Sequence, residues 1–292
     1  LRQRLEDAGH QLCLLSRPTS RSKLVGNTSQ IIWNPSEGLE DPSALNGVDA
    51  FIHLAGKSIA SGRWSDRVKR EIRDSRVVAT SRLAEQLCDL DSPPSVVISA
   101  SAIGIYGDRG TEWTSEAAPN GETFLAEVAH EWETACDPLR EAGLRVVHPR
   151  LGMVLGKHGG ALEKVLPLFK GFLGGKVGDG RQFWSWISLD DCVSALLWML
   201  QNDHATGPYN VVSPEPVTNA TFTKTLAAVL NKPALVPAPK FALRAALGEL
   251  ADALLLTSCR VAPARLVADG FRFEYPDLKS FLEHELAASN SD

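Results

Sequence analysis

The stretch VVISASAIGIYGDRG, residues 96–110, places two hydroxyl-bearing residue types where chemistry could be done. Three β-formers, Val96, Val97 and Ile98, run into Ser99, Ala100, Ser101 and Ala102, and a Tyr106–Gly107 turn follows. In a parallel α/β sheet, reactive groups gather where the carboxyl end of a strand opens into a loop. Tyr106 could donate a proton there, and Ser101 carries a hydroxyl close by in the chain. A phenol with a pKa of about 10 is a poor base at neutral pH and needs a cation beside it. Of the three tyrosines only Tyr275 has a lysine four residues on, Lys279, and Pro276 takes Tyr275 out of helical geometry. The sequence thus assigns no catalytic residue, and Tyr106 and Ser101 are the stand-ins it offers. The plainer expectation for Tyr106 is a turn tyrosine packing at a strand end. His53 and His148 lie inside apolar strands and read as hydrogen-bonded core histidines.

The binding signals come earlier in the chain. The strand LCLLSR ends in Ser16 and Arg17, with no acid in the next several residues. At the end of the second strand of a Rossmann unit an acid would hold the 2′-hydroxyl of NAD, whereas a basic residue accommodates the 2′-phosphate of NADP. Arg17 thus reads either as a solvated surface charge or as an NADP(H) contact. The string HLAG ends another apolar strand in Leu54, Ala55 and Gly56. Small residues there let a cofactor lie against the backbone, and they also make an ordinary tight turn. Trp184 and Trp186 alternate along a strand and read as core. Asp190 and Asp191 read as the N-cap of the next helix.

The elements that must position these residues follow from periodicity. Apolar runs at 10–17, 49–56, 96–101, 144–156 and 207–213 read as strands. Helical spacing marks 63–90, closed by SPP, and 122–143, where Phe124, Val128 and Trp132 recur every fourth residue. Such alternation predicts α/β architecture: a doubly wound parallel sheet, Rossmann-like, with a smaller C-terminal substrate lobe. The expected organisation is a nucleotide-binding domain over 1–156, a mixed region over 157–213 with a cleft loop, and a proline-punctuated lobe over 214–292. LRQRLEDAG, at residues 1–9, reads as the back half of a helix with Gly9 at its end. A glycine-rich phosphate loop and a central strand are expected upstream of it, and without them weak nucleotide binding and poor folding are expected.

The chain has 292 residues, 44% of them hydrophobic and 22% charged, enough for a large core. A net charge of −5, from 35 acids and 30 bases, argues against a nucleic-acid partner. No apolar run approaches the roughly 18 residues that span a bilayer, so no membrane partner is expected. Five cysteines, Cys13, Cys88, Cys136, Cys192 and Cys259, are widely spaced and never in a CxxC pair. Most lie in apolar surroundings and read as buried thiols in a reducing cytoplasmic setting, with no metal site.

Taken in order, LLSR, NGVDAFIHLAG, RWSDRVKREIRDSR, VVISASAIGIYGDRG, HEWE, RLGMVLG, GDGRQFWSWISLDD, GPYNVVSPEPV and DGFRF resemble the extended short-chain dehydrogenase/reductase superfamily. The closer likeness is to its atypical epimerase-family branch, relatives of the sugar-nucleotide epimerases. It runs over essentially the whole chain. The resemblance implies an NADP(H) cofactor, with Ser16 and Arg17 at the 2′-phosphate and Leu54, Ala55 and Gly56 beside the adenosine and pyrophosphate. It adds Glu71 and Arg76 from REIRDSR, Val154 from RLGMVLG, and Arg181 in the cleft loop beside a substrate phosphate. The substrate expected is a small molecule such as a nucleotide sugar, and a homodimer fits the branch. Superfamily catalysis uses a Tyr-x-x-x-Lys pair with an upstream serine; those positions hold Phe124, Val128 and Ala102. Two readings result: an NADP(H)-dependent oxidoreductase or epimerase (isomerase) with a degenerate site, or a non-catalytic NADPH-binding sensor.

Overall fold

The fold grows from short aliphatic runs that cannot be satisfied except inside a covered sheet. The structure is a computed structural model that describes residues 1–18, 28–60, 62–157 and 159–287. In chain order the main elements are α1 (Arg2–Asp7), β1 (Leu12–Ser16), β2 (Thr28–Asn34), β3 (Ala50–His53), α2 (Asp66–Asp74), α3 (Val77–Cys88), β4 (Val96–Ser99), α4 (Phe124–Thr134), α5 (Asp137–Glu141) and β5 (Arg145–Leu151). They continue as β6 (Met153–Gly156), α6 (Gly160–Lys170), β7 (Trp186–Ser188), α7 (Leu189–Gln201), β8 (Gly207–Val211), α8 (Asn219–Val229), α9 (Lys240–Leu247), α10 (Ala264–Ala268) and α11 (Leu278–Ala287).

Four strands pair in parallel in the order β8–β5–β4–β3, and Ser101–Ala102 extends the pairing beside Arg150 and Leu151. Successive residues of β4 serve opposite faces, as a strand period of two requires. Val96 and Ile98 join the core under α7 with Leu196 and Met199. Val97 joins the other core with Leu83, Leu87 and Leu139 of α3 and α5. Ile98 is fully buried, and burying such a side chain contributes about 1.5–3 kcal/mol. This is the doubly wound α/β arrangement the periodicity predicts.

The parallel pair β1–β2 forms a separate sheet. Cys13 and Leu15 of β1 nevertheless pack into the same core as Phe51 of β3, so the two sheets share an interior without sharing hydrogen bonds. The strand at 28–34 lacks the strongly apolar run that marks the others and was absent from the sequence expectation.

Three expected elements are each divided, and each division has a cause. The helix over 63–90 breaks at Ser75–Arg76, where Arg76 adopts φ −111 and ψ −62 and heads a new helix. The helix over 122–143 ends at Thr134 and restarts as α5 with Pro138 in its first turn. The strand over 144–156 breaks at Gly152, where an added Cβ would lie 2.7 Å from the Ser185 carbonyl and 2.6 Å from Val212. The chain there leaves the main sheet, and β6 pairs with β7. The cap of α7 is Ser188, not Asp190 or Asp191: its Oγ accepts from the Asp191 amide at 2.9 Å. Asp191 is buried and accepts the backbone amides of Glu274 (2.7 Å) and Tyr275 (3.0 Å), which ties the C-terminal segment to α7.

Candidate functional site

The site is assembled where β1, β3, β4 and β5 end. Ser16 closes β1; its buried hydroxyl accepts from the Gln30 amide of β2. Arg17, next in the chain, is exposed and makes no ion pair among the described residues. After β3 the chain turns through Leu54, 44% exposed, half-buried Ala55 and exposed Gly56. A Cβ at Gly56 would come within 3.1 Å of the Arg76 guanidinium carbon, so the backbone and that side chain are in contact.

Arg76 is half-buried and makes no ion pair among the described residues. Its Nη1 donates to the Ile72 carbonyl at 3.1 Å, and its guanidinium lies 5.2 Å from the Trp132 ring centroid. Burial pulls its pKa below the ordinary arginine value. A partly desolvated cation without an acid is a seat for an anion. Glu71 does not pair with Arg76. It binds Lys57 Nζ and accepts from Arg67 Nη1 at 2.6 Å, and the Lys57 contact heads the causes that hold its pKa below the usual carboxylate value. The Lys57 amide donates to Ser75 Oγ at 3.0 Å. Loop 54–57 is thereby stitched to the α2–α3 junction that carries Arg76. Val154 sits half-buried on β6, opposite Ile187 of β7.

The structure draws Tyr106 and Ser101 into one buried polar network. The Tyr106 hydroxyl donates to Asn210 Oδ1 at 2.6 Å and accepts from Arg150 Nη1 at 2.8 Å. Arg150 is bidentate to Glu133, with both contacts at 2.8 Å, and Ser101 Oγ donates to Glu133 Oε1 at 2.6 Å. Asn210 continues the chain: its amide donates to Glu116 Oε1 at 2.9 Å, and its Nδ2 to the Ala262 carbonyl at 2.9 Å. Burial pushes the Tyr106 phenol up to about 12 in spite of Arg150 beside it. Burial works to raise the Glu133 carboxyl too, but the Arg150 and Ser101 donors hold it below the ordinary carboxylate value. Tyr106 has no solvent exposure and Ser101 only 2%. Both hydroxyls are spent inside the fold, joining α4, β5, β8 and the C-terminal segment.

Glu133, Arg150, Glu116 and Asn210 were not singled out by the sequence reading. The available signal was Arg150 itself: an arginine inside the apolar strand VVHPRL must find an acid once buried. Phe124 and Val128 do lie one turn apart on α4. Phe124 packs edge-on against Trp64 at 5.4 Å with Lys69 Nζ 5.2 Å above its ring, and Val128 is buried. Neither offers a proton. His53 and His148 are buried and bonded, His53 to Thr80 Oγ1 at 3.1 Å and His148 Nδ1 to the Ser99 carbonyl at 3.1 Å. Burial brings both pKa values down to about 4. Arg181 is exposed; the side chain of Asp179 accepts from its backbone amide at 3.1 Å. Arg260 is stacked 4.1 Å from Trp113 and 4.7 Å from Phe183, with a buried Nε that has no hydrogen-bond partner among the described residues. Trp184 and Trp186 belong to one core cluster with Phe222 and Phe281. Tyr275 and Lys279 do not meet: Lys279 pairs with Glu283 at 3.6 Å. Among the described residues no helix is long and apolar enough to cross a membrane.

This architecture has recognisable relatives. Residues 1–212 match the NAD dependent epimerase/dehydratase family, and residues 238–285 match a domain of unknown function, DUF1731. The epimerase family protein Mb2239 of Mycobacterium bovis is 41% identical over 249 residues, covering 85% of this chain and 82% of its own length. The epimerase family protein YfhF of Bacillus subtilis is 36% identical over 96% of this chain and 91% of its own length. The crystal structure of human epimerase family protein SDR39U1 with NADPH superposes with a TM-score of 0.85 at 30% identity, covering 98% of this chain and 94% of that one. A UDP-glucose 4-epimerase of Thermotoga maritima, at 16% identity and a TM-score of 0.78 over 99% of this chain and 93% of its own, shares the fold. On sequence and on structure alike, the chain belongs to the NAD dependent epimerase/dehydratase family.

Proposed function

We propose that the protein binds NADP(H) at the carboxyl ends of β1 and β3 and acts as an oxidoreductase or epimerase on a nucleotide-sugar-like or small carbonyl substrate. One observation carries the cofactor half: Arg17, directly after β1, and Arg76, against Gly56 in the loop after β3, have no carboxylate partner among the described residues. The residues present fit the group. Arg17 offers a planar fork to the 2′-phosphate, with Ser16 beside it. Arg76, against the bare backbone of Gly56, offers charge to the pyrophosphate. Glu71 acts through Lys57 to hold that loop in place. Val154 takes the further contact expected from the family motif. The human relative's NADPH complex supports the same choice of coenzyme.

NADP(H), when bound, supplies hydride-transfer chemistry. This chain's own residues bind and orient: Arg181 extends a cation from the glycine-rich loop toward a substrate phosphate. A proton must come from water or the substrate, because Tyr106 is sealed by Asn210 and Arg150. That sealing, with Phe124 and Val128 in the Tyr and Lys positions, favours a second reading. In it the protein holds NADPH without turnover and reports or regulates redox state.

One experiment separates the two. The full natural chain is titrated with NADPH by fluorescence, then assayed by coenzyme absorbance across sugar nucleotides, quinones and aldehydes. Turnover with any class supports the enzyme. Tight binding without turnover leaves the sensor. Failure to bind either coenzyme removes both readings.

A further inference from the structure

Six of the ten large apolar side chains most exposed among the described residues fall on two short segments: Leu168, Phe172, Leu173, Leu235, Val236 and Phe241. The segments are laced together. The Val236 amide donates to the Gly174 carbonyl at 3.1 Å, the Ala238 amide to Lys176 at 2.9 Å, and the Gly178 amide to Ala238 at 2.9 Å. Phe172 holds φ +61, one of only two non-glycine residues with positive φ among those described. A bulky side chain resists that left-handed conformation, and glycine is the usual occupant of such a helix-ending position. Strain of this kind persists where the surroundings over-determine it, which is common at binding surfaces. The ring it holds out is 55% exposed, with Lys232 Nζ 4.5 Å from its centroid.

Beside this display runs a groove of about 870 Å³ between α8 and the segment that follows it. Its floor is built from the small residues Ala220, Ala227 and Ala228, which leave the helix surface hollow. Ala220 to Ala228 spans about 12 Å of α8, at 1.5 Å per residue. Lys176, Lys224 and Lys232 line it, none in an ion pair among the described residues, and no acidic residue lines it. On a chain with a net charge of −5, this is a local inversion of sign.

We propose that this groove receives an acidic polypeptide segment of a partner protein, an amphipathic helix of two to three turns. Its apolar side chains would meet Leu235 and Phe172 and its carboxylates the three lysines. Charge complementarity selects the acidic partner. The hollow, elongated floor selects a polypeptide laid along it, the helix-in-groove mode of recognition. A bilayer would instead need a protruding face. This inference is independent of the cofactor.

The test displays a random library of 16-residue peptides against the full natural chain and measures enriched peptides by fluorescence anisotropy. Enriched sequences are expected to be net acidic, with apolar residues three and four apart. The triple variant Lys176→Glu, Lys224→Glu, Lys232→Glu should weaken them by about tenfold or more. Phe172→Gly should weaken them about fivefold while leaving the melting temperature equal or higher, because glycine relieves the left-handed strain. The proposal is overturned if no acidic sequence enriches, or if enriched peptides bind the triple variant equally. It is also overturned if phosphatidylglycerol vesicles bind through the same lysines and peptides do not, or if sedimentation shows that the groove joins two copies of this chain.

Discussion

Tyr106 and Glu133 stand at opposite ends of one arginine, and their removal should have different consequences. Tyr106→Phe deletes one hydroxyl and leaves Asn210 Oδ1 and one Arg150 donor unmet, at a cost of about 1–3 kcal/mol in urea unfolding. NADPH affinity should stay within about twofold, since the phenol faces inward. Glu133→Ala strands a buried guanidinium and should cost about 3–5 kcal/mol. The pair Glu133→Leu with Arg150→Met should recover most of that loss; failure to recover would mean that the network does more than balance its own charge. Residue types made Tyr106 and Ser101 visible in the sequence, yet their partners lie 104 and 32 residues away. Only the fold could show that both hydroxyls were already committed.

At the scale of elements, the alternation of apolar strands and helical spacing gave up the sheet directly, because strands such as β1 (LCLLS) and β4 (VVIS) are near-continuous apolar runs. The breaks at Ser75–Arg76 and Gly152 were not legible. Helical spacing of apolar residues continues through the first, and at the second the constraint is the approach of Ser185 and Val212 from distant segments. Gly152→Ala should therefore cost about 1–3 kcal/mol by overpacking, a penalty absent at Gly159, where an added Cβ meets nothing within 4 Å and the backbone is extended. The strand histidines make a pH prediction. His53 and His148 have folded pKa values of about 4, below the unfolded 6.5, so between those values the unfolded chain binds more protons. Stability is complete above pH 6.5 and is lost as pH falls toward 4, on the order of 3 kcal/mol per histidine. Urea melts of His53→Asn should lose about half of this acid slope. An unchanged slope would place the proton uptake elsewhere.

For the whole molecule, fold class and family were readable from the sequence because strings such as NGVDAFIHLAG and RLGMVLG stand along the chain in the order of the family they resemble. The grouping of cofactor candidates was readable only in part. Gly56 and Arg76 meet, whereas Glu71 turns to Lys57, a contact no spacing rule announces. The buried Arg150 has its acid, whereas Arg17 and Arg76 have none among the described residues and are the cations proposed for the coenzyme's phosphates. The direct measurement is calorimetric titration of the full natural chain and Arg17→Ala with NADPH and NADH. The natural chain should prefer NADPH, and Arg17→Ala should lose about tenfold or more of that preference while NADH binding barely changes. Equal weakening of the two coenzymes, or no weakening of either, would contradict the assignment of Arg17 to the 2′-phosphate.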